Sequence, residues 1–257
     1  MSSPLPEPEL VAQLAPSLVD TAGGFLRNTL RSSPLTCTTC DGTVRTGWST
    51  CYKCGHIYND SPLAADQVAS MIYAVSQRQS GYMMRGYKGS PRVQEHVRIV
   101  GSLLWIGISH RGCAAKLAHA PVTHWASVPS LPAKSGSHVL RQLIERNPYL
   151  TLPQLEVKPA QRLLASPREF EPANFTVPSF VPHGTHVLLM EDTWVGGGHV
   201  QSTAAALKLA GAAKVSILNV ARWLEADDEA TAAFIPEHFD RREYSPDRCP
   251  WTGRSCP

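Results

Sequence analysis

The stretch His186–His199, HVLLMEDTWVGGGH, constrains the fold more than any other part of the chain. Val187–Met190 are consecutive apolar residues, Glu191 and Asp192 follow at once, and Gly196–Gly198 lead into the alanine-rich Val200–Ala210. An apolar run, a glycine turn and a helical pattern predict a strand that passes through a tight loop into a helix. Gly211 marks the helix stop, and Lys214–Val220 predicts the next strand. Such a unit belongs to an α/β protein with a mainly parallel sheet, where ligands bind beyond the carboxyl ends of the strands. The loop amides and the helix N-terminus offer N–H groups and a positive dipole end to a phosphate. The two carboxylates just before them offer acceptors to sugar hydroxyls. The order is not that of a dinucleotide fingerprint, in which the acid follows the glycines by about twenty residues, and no Gly-Lys-Ser/Thr marks a Walker loop. A plain strand–helix corner with two solvated acids is the competing reading, and three consecutive glycines argue against it.

A second local signal lies at residues 34–59. Cys37-Thr-Thr-Cys40 is followed, after a ten-residue spacer, by Cys51-Tyr-Lys-Cys54. A CxxC knuckle aims two sulfurs at one point, and two knuckles make a closed tetrahedral four-thiolate site that suits structural zinc. A ribbon this small has no core of its own, so the ion supplies much of its folding free energy. Cysteines in this spacing also predict a reducing, cytoplasmic setting rather than a disulfide framework.

With 257 residues, 43% of them hydrophobic, the chain has material for one sizeable α/β core and a small accessory module. A formal net charge of +3 does not by itself argue for nucleic acid. No apolar run reaches the roughly 18 residues that span a bilayer, and the N-terminus lacks a signal-peptide pattern, so no membrane insertion is expected. The expected organisation is an N-terminal arm or helix over 1–33, a zinc ribbon over 34–60, an α/β domain over 61–230 and a C-terminal tail over 231–257. Leu10–Leu30 predicts a helix interrupted at Gly23-Gly24, and Ala64–Gln79 another, with Val68, Met71, Ile72 and Val75 on one face. Gly81–Gly89 mixes aromatics, bases and glycines, as either a ligand-facing loop or a surface turn does. Val93–Trp105 predicts a helix, and Leu103–Ile108, the most apolar patch, a buried strand. Cys113 reads as a small buried hydrophobe. Val122–Val128 is β-prone, and the loop after it offers Ser130 and Lys134 to an anion or simply joins a strand to the helix Val139–Arg146. Residues 151–184 are proline-rich and fit a binding loop or hood. Cys249 and Cys256, two thiols in a polar tail, are too few for a second metal site on their own.

Together these residues resemble the type I phosphoribosyltransferases, and among them the ComF-like branch, which joins an N-terminal zinc ribbon to such a domain. The resemblance covers about residues 35–222 and rests on Glu191–His199 and the four cysteines. It implies a Rossmann-like domain with a parallel sheet flanked by helices. It also implies a ligand, phosphoribosyl pyrophosphate (PRPP) or a nucleotide. Glu191 and Asp192 match the acids that hold the ribose hydroxyls. Thr193, Trp194, Val195, Gly196, Gly197, Gly198 and His199 match the loop around the 5′-phosphate. Pro129, Ser130 and Lys134 look like the pyrophosphate loop, and Tyr87-Lys88-Gly89 loosely resembles a Lys-aromatic-Arg-Gly stretch of ComF-like chains. Cys37, Cys40, Cys51 and Cys54 match the zinc ligands, and magnesium is expected to arrive with PRPP. The implied reaction is transfer of the phosphoribosyl group to a nitrogen nucleophile with release of pyrophosphate. The alternative is a protein without turnover, one that binds PRPP or a nucleotide or acts through single-stranded DNA or a protein partner as ComF-like proteins do in DNA uptake by competent bacteria, with the ribbon and Tyr82–Arg98 as contacts. Gly196 and His199 stand where the family carries threonines, so two hydroxyl donors to the phosphate are missing.

Overall fold

The computed structural model describes residues 7–59, 61–131, 139–164, 166 and 168–257. The long strand β5 (His186–Trp194) crosses through helix α6 (Gly198–Leu209) into β6 (Lys214–Leu224). β1 (Gln67–Val75) and β2 (His124–Ser127) flank them, giving four parallel strands in the order β1-β6-β5-β2 among the described residues. Two short strands, β3 (Lys158–Pro159) and β4 (Phe175–Thr176), pair antiparallel inside the proline-rich segment. Helices α1 (Glu7–Ala22), α2 (Gln79–Gly86), α3 (Gln94–Ser109), α4 (Arg111–Ala118) and α5 (Val139–Glu145) complete the body, and α7 (Glu229–Phe234) follows β6. The protein is thus a mixed α/β structure with a parallel sheet flanked by helices. No helix among the described residues is long and apolar enough to cross a membrane.

Alternation along β5 divides the core. Leu188 and Met190 face the layer of α1–α3, with Leu103, Leu104 and Ile106. Val187 and Leu189 face α6, with Val200, Ala204 and Leu207. The cysteines Cys37, Cys40 and Cys54 belong to this second layer, so the four-cysteine segment extends the core on the α6 face.

Two expectations are corrected. The pattern over Ala64–Gln79 is not a helix: Gln67–Val75 is the strand β1, buried from Val68 onward. A parallel strand covered on both faces loses its alternation, and a continuous apolar run satisfies helical spacing by chance. Conversely, Leu103–Ile108 lies inside α3. That helix is apolar on most sides because the sheet covers one face and α1, α2 and α5 cover others.

Helix α3 approaches the sheet closely at Gly107. A Cβ there would lie 2.9 Å from Met71 Sδ and 3.1 Å from Leu218 Cδ2. Gly107→Val is therefore expected to destabilise the fold by about 1–3 kcal/mol in urea denaturation, with Gly107→Ala much milder because Met71 is flexible. Wild-type stability in Gly107→Val would contradict this seating of α3.

Candidate functional site and cysteine centre

Strand β5 does not end before its acids. It pairs with β6 through Thr193↔Ala221 and Trp194↔Arg222, so Glu191 and Asp192 are strand residues near its carboxyl end. Both are buried, at 8% and 5% exposure. Adjacent positions in a strand face opposite sides, and the two acids part accordingly. Asp192 turns toward α2, where Tyr87 O–H and Lys88 Nζ both donate to its Oδ2, the lysine at 2.6 Å. Glu191 turns toward α6, and its Oε2 lies 3.8 Å from His199 Nδ1. Its other oxygen is occupied locally. The pairing of β2 with β5 ends at Ser127↔Met190, so the Asp192 amide lies beyond β2 and donates instead to Glu191 Oε1 at 2.8 Å.

These positions set the electrostatics. Burial pushes the Glu191 carboxyl well above its ordinary range, and the charge of Asp192 beside it pushes the same way. Tyr87 is also pushed up, first by burial and then by Asp192, so it remains a donor. The resulting pair is one acid held by a phenol and an ammonium, next to one whose burial disfavours its charged form.

The glycine turn is built for close approach. Gly197 has φ +80°, and a Cβ there would lie 2.3 Å from Trp194 Cζ2. Both the conformation and the space demand glycine. A Cβ on Gly198 would meet Arg168 O at 2.2 Å, and one on Gly196 would lie 2.8 Å from Lys53 Nζ. Lys53 stands between Cys51 and Cys54, so the second cysteine knuckle delivers an ammonium to the loop. Trp194 is buried, with Tyr58 in edge contact at 6.0 Å between centroids, while Val195 is exposed. His199 packs against Phe175, with centroids 5.4 Å apart. Val128 N–H donates to Met190 O at 3.1 Å, which brings Pro129 and Ser130 to the same sheet edge as Glu191. Lys134 lies outside the described residues.

The four ribbon sulfurs lie within 4.8 Å of one another. Cys40 Sγ and Cys51 Sγ are 3.8 Å apart, and a tetrahedron of Zn–S bonds near 2.3 Å has edges of about 3.8 Å. The cluster has the donor set and geometry to hold zinc. Arg222 lies against it: a Cβ on Gly42 would meet its Nη2 at 2.2 Å. Burial works against the Arg222 charge, but Cys40 and then Cys51 outweigh it and hold the pKa above its ordinary value. From there Nη1 donates to Trp194 O at 3.2 Å and Val195 O at 3.0 Å. Tyr58 O–H donates to Gly196 O at 2.7 Å. The ribbon is therefore fastened to the turn between β5 and α6. Sequence reasoning passed over Tyr58, Phe175 and Arg222, because nothing local marks a contact between segments so far apart in the chain.

No family model matches the chain, and no curated protein matches it. Among solved structures, a hypoxanthine phosphoribosyltransferase from Staphylococcus aureus aligns at 14% identity, covering 47% of this chain and 73% of that chain, with a TM-score of 0.27. Identity and TM-score at that level carry no residue roles across.

The acid pair yields a pH test. A carboxyl whose folded pKa is raised binds its proton more tightly in the folded state, so stability falls as pH rises from the ordinary value, about 4.5, toward the folded one. Glu191→Gln keeps the acceptor for the Asp192 amide and removes the titration. The variant is expected to gain on the wild type by up to about 1.4 kcal/mol per pH unit of that window, as measured by denaturation between pH 4.5 and 8. Parallel curves would contradict a proton on Glu191.

Proposed function

We infer that the chain binds a phosphorylated ribose, with PRPP as the ligand the site suits best, and transfers its phosphoribosyl group to a nitrogen nucleophile. The observation that carries this reading is the placing of two buried acids at the carboxyl end of β5, directly before the Gly196–Gly198 turn that opens α6, with Glu191 on the α6 side and Asp192 on the α2 side. Amides of the turn would take the 5′-phosphate. Lys53 beside Gly196 supplies positive charge where threonine hydroxyls are absent. Asp192 would accept from ribose hydroxyls once Lys88 swings off it toward the ligand's anionic groups, and Glu191 would orient His199 and the loop. Pro129 and Ser130, with Lys134, would face the pyrophosphate. In the reaction the bond from the anomeric carbon to pyrophosphate breaks, a carbon–nitrogen bond forms, and the nucleophile gives up a proton. Catalysis would rest on positioning and charge. Asp192 already carries an ammonium and a phenol, and burial disfavours charge on Glu191, so the pair is poorly suited to a protein-held magnesium; an ion arriving with PRPP would be held by the ligand's own oxygens.

The engagement of Asp192 by Tyr87 and Lys88 favours one rival reading, a binder without turnover. That reading assigns single-stranded DNA or a protein partner to Tyr82, Arg85, Arg92 and Arg98, all of which are exposed. PRPP with magnesium at 100 times its Kd is expected to stabilise the fold by about 2.7 kcal/mol, read as a rise of several degrees in Tm, and Asp192→Asn to remove the rise. Pyrophosphate release on adding bases or amines supports transfer. A shift without release supports the binder, and no shift at millimolar ligand contradicts the first reading.

A further inference from the structure

A second group of metal-type side chains lies away from the ribbon. His110 stands at the corner between α3 and α4, and Cys113 is in the first turn of α4. The spacing of three puts both on one side of that turn. Cys249 and Cys256 come from the far end of the chain. The imidazole nitrogen and three sulfurs all lie within 4.8 Å of one another, and all three cysteines are free thiols.

We propose that His110, Cys113, Cys249 and Cys256 form a second, structural zinc site that ties the C-terminal segment to the α3–α4 corner. The distances fit. Cys256 Sγ and Cys113 Sγ lie 3.4 Å and 3.8 Å from His110 Nδ1. A tetrahedron with Zn–S near 2.3 Å and Zn–N near 2.05 Å has N–S edges of about 3.6 Å. One imidazole and three thiolates fill the coordination shell, which suits a closed zinc site rather than a catalytic one. A disulfide explains the cluster less well, since an odd number of thiols leaves one over and gives the ring nitrogen no role.

The loop that carries the last two sulfurs is shaped independently of any ion. Cys249 N–H donates to Arg254 O at 2.8 Å, Gly253 N–H donates to Cys249 O at 2.9 Å, and Arg248 Nη1 donates to Gly253 O at 2.9 Å. Gly253 takes φ +72°, which glycine allows without strain. The turn folds Cys256 back toward Cys249. Trp251, between them, is buried in the same apolar layer as α3. This segment has little regular structure to hold it, and an ion shared with α4 supplies the missing anchor.

Metal analysis of the full chain, purified under reducing conditions, tests the proposal. Two zincs per chain are expected. Cys256→Ser, an exposed position that leaves the core intact, should lower the count to one, as should Cys51→Ser in the ribbon, and the double variant should bind none. With cobalt(II) as the probe, Cys256→Ser should remove the absorption of a three-thiolate, one-imidazole site and leave that of the four-thiolate site. One zinc in the wild type, a count and cobalt spectrum untouched by both Cys256→Ser and His110→Ala, or a disulfide among the three cysteines would each overturn it.

Discussion

The contact on which the candidate site depends is the fastening of the cysteine ribbon to the turn between β5 and α6. Three glycines in a row have no intrinsic preference for one shape, and each costs about 0.5–1 kcal/mol of backbone entropy relative to alanine when ordered. Here the carbonyls of that turn are held from outside. Arg222 takes those of Trp194 and Val195, and Tyr58 takes that of Gly196. Both side chains depend on the ribbon: Tyr58 closes the π-helical turn that starts at Cys54, and Arg222 lies against Gly42 and the thiols. Zinc binding by small cysteine modules releases on the order of 10 kcal/mol or more, which at this cluster would be enough to order the cysteine segment and, through it, the turn. A buried arginine needs a counter-charge, and a four-thiolate zinc centre carries two net negative charges.

The acid pair follows a different logic. Strand alternation separates Glu191 from Asp192, and burial disfavours charge on Glu191. Asp192 is held by groups from the α2 side, Glu191 by the backbone and the α6 side. The two carboxylates are thus not interchangeable hydroxyl acceptors. One is bound to Lys88 and Tyr87, and the other, disfavoured in its charged form, lies against the first turn of α6.

Much of this was legible wherever the determinants are local. The CxxC spacing, the β5–α6–β6 pattern and the helix stop at Gly211 are short-range signals, and the structure carries the corresponding cysteine cluster, helix and strands. Legibility failed where burial erases periodicity. β1 is covered on both faces and reads as a helix, while α3, covered on most sides, reads as a helix through Trp105 but as a strand over Leu103–Ile108. It failed also where a site is assembled from distant segments. The arrival of Lys88 at Asp192, of Arg222 at Trp194 and of the proline-rich segment at Gly198 is a property of the sheet order, which no local pattern encodes. Cys249 and Cys256 fell short of a metal site for the same reason, since the other two donors lie more than a hundred residues earlier.

The claim that the ribbon holds the glycine turn in place has a direct test in amide hydrogen exchange over Trp194–His199, measured on the zinc-loaded protein and on Cys51→Ser. The account predicts slow exchange at these amides in the loaded protein. In the variant it predicts acceleration of at least ten-fold there, while β1 and the β5 residues before Glu191 stay protected. Equal protection of the turn in both proteins, with the sheet intact, would contradict it.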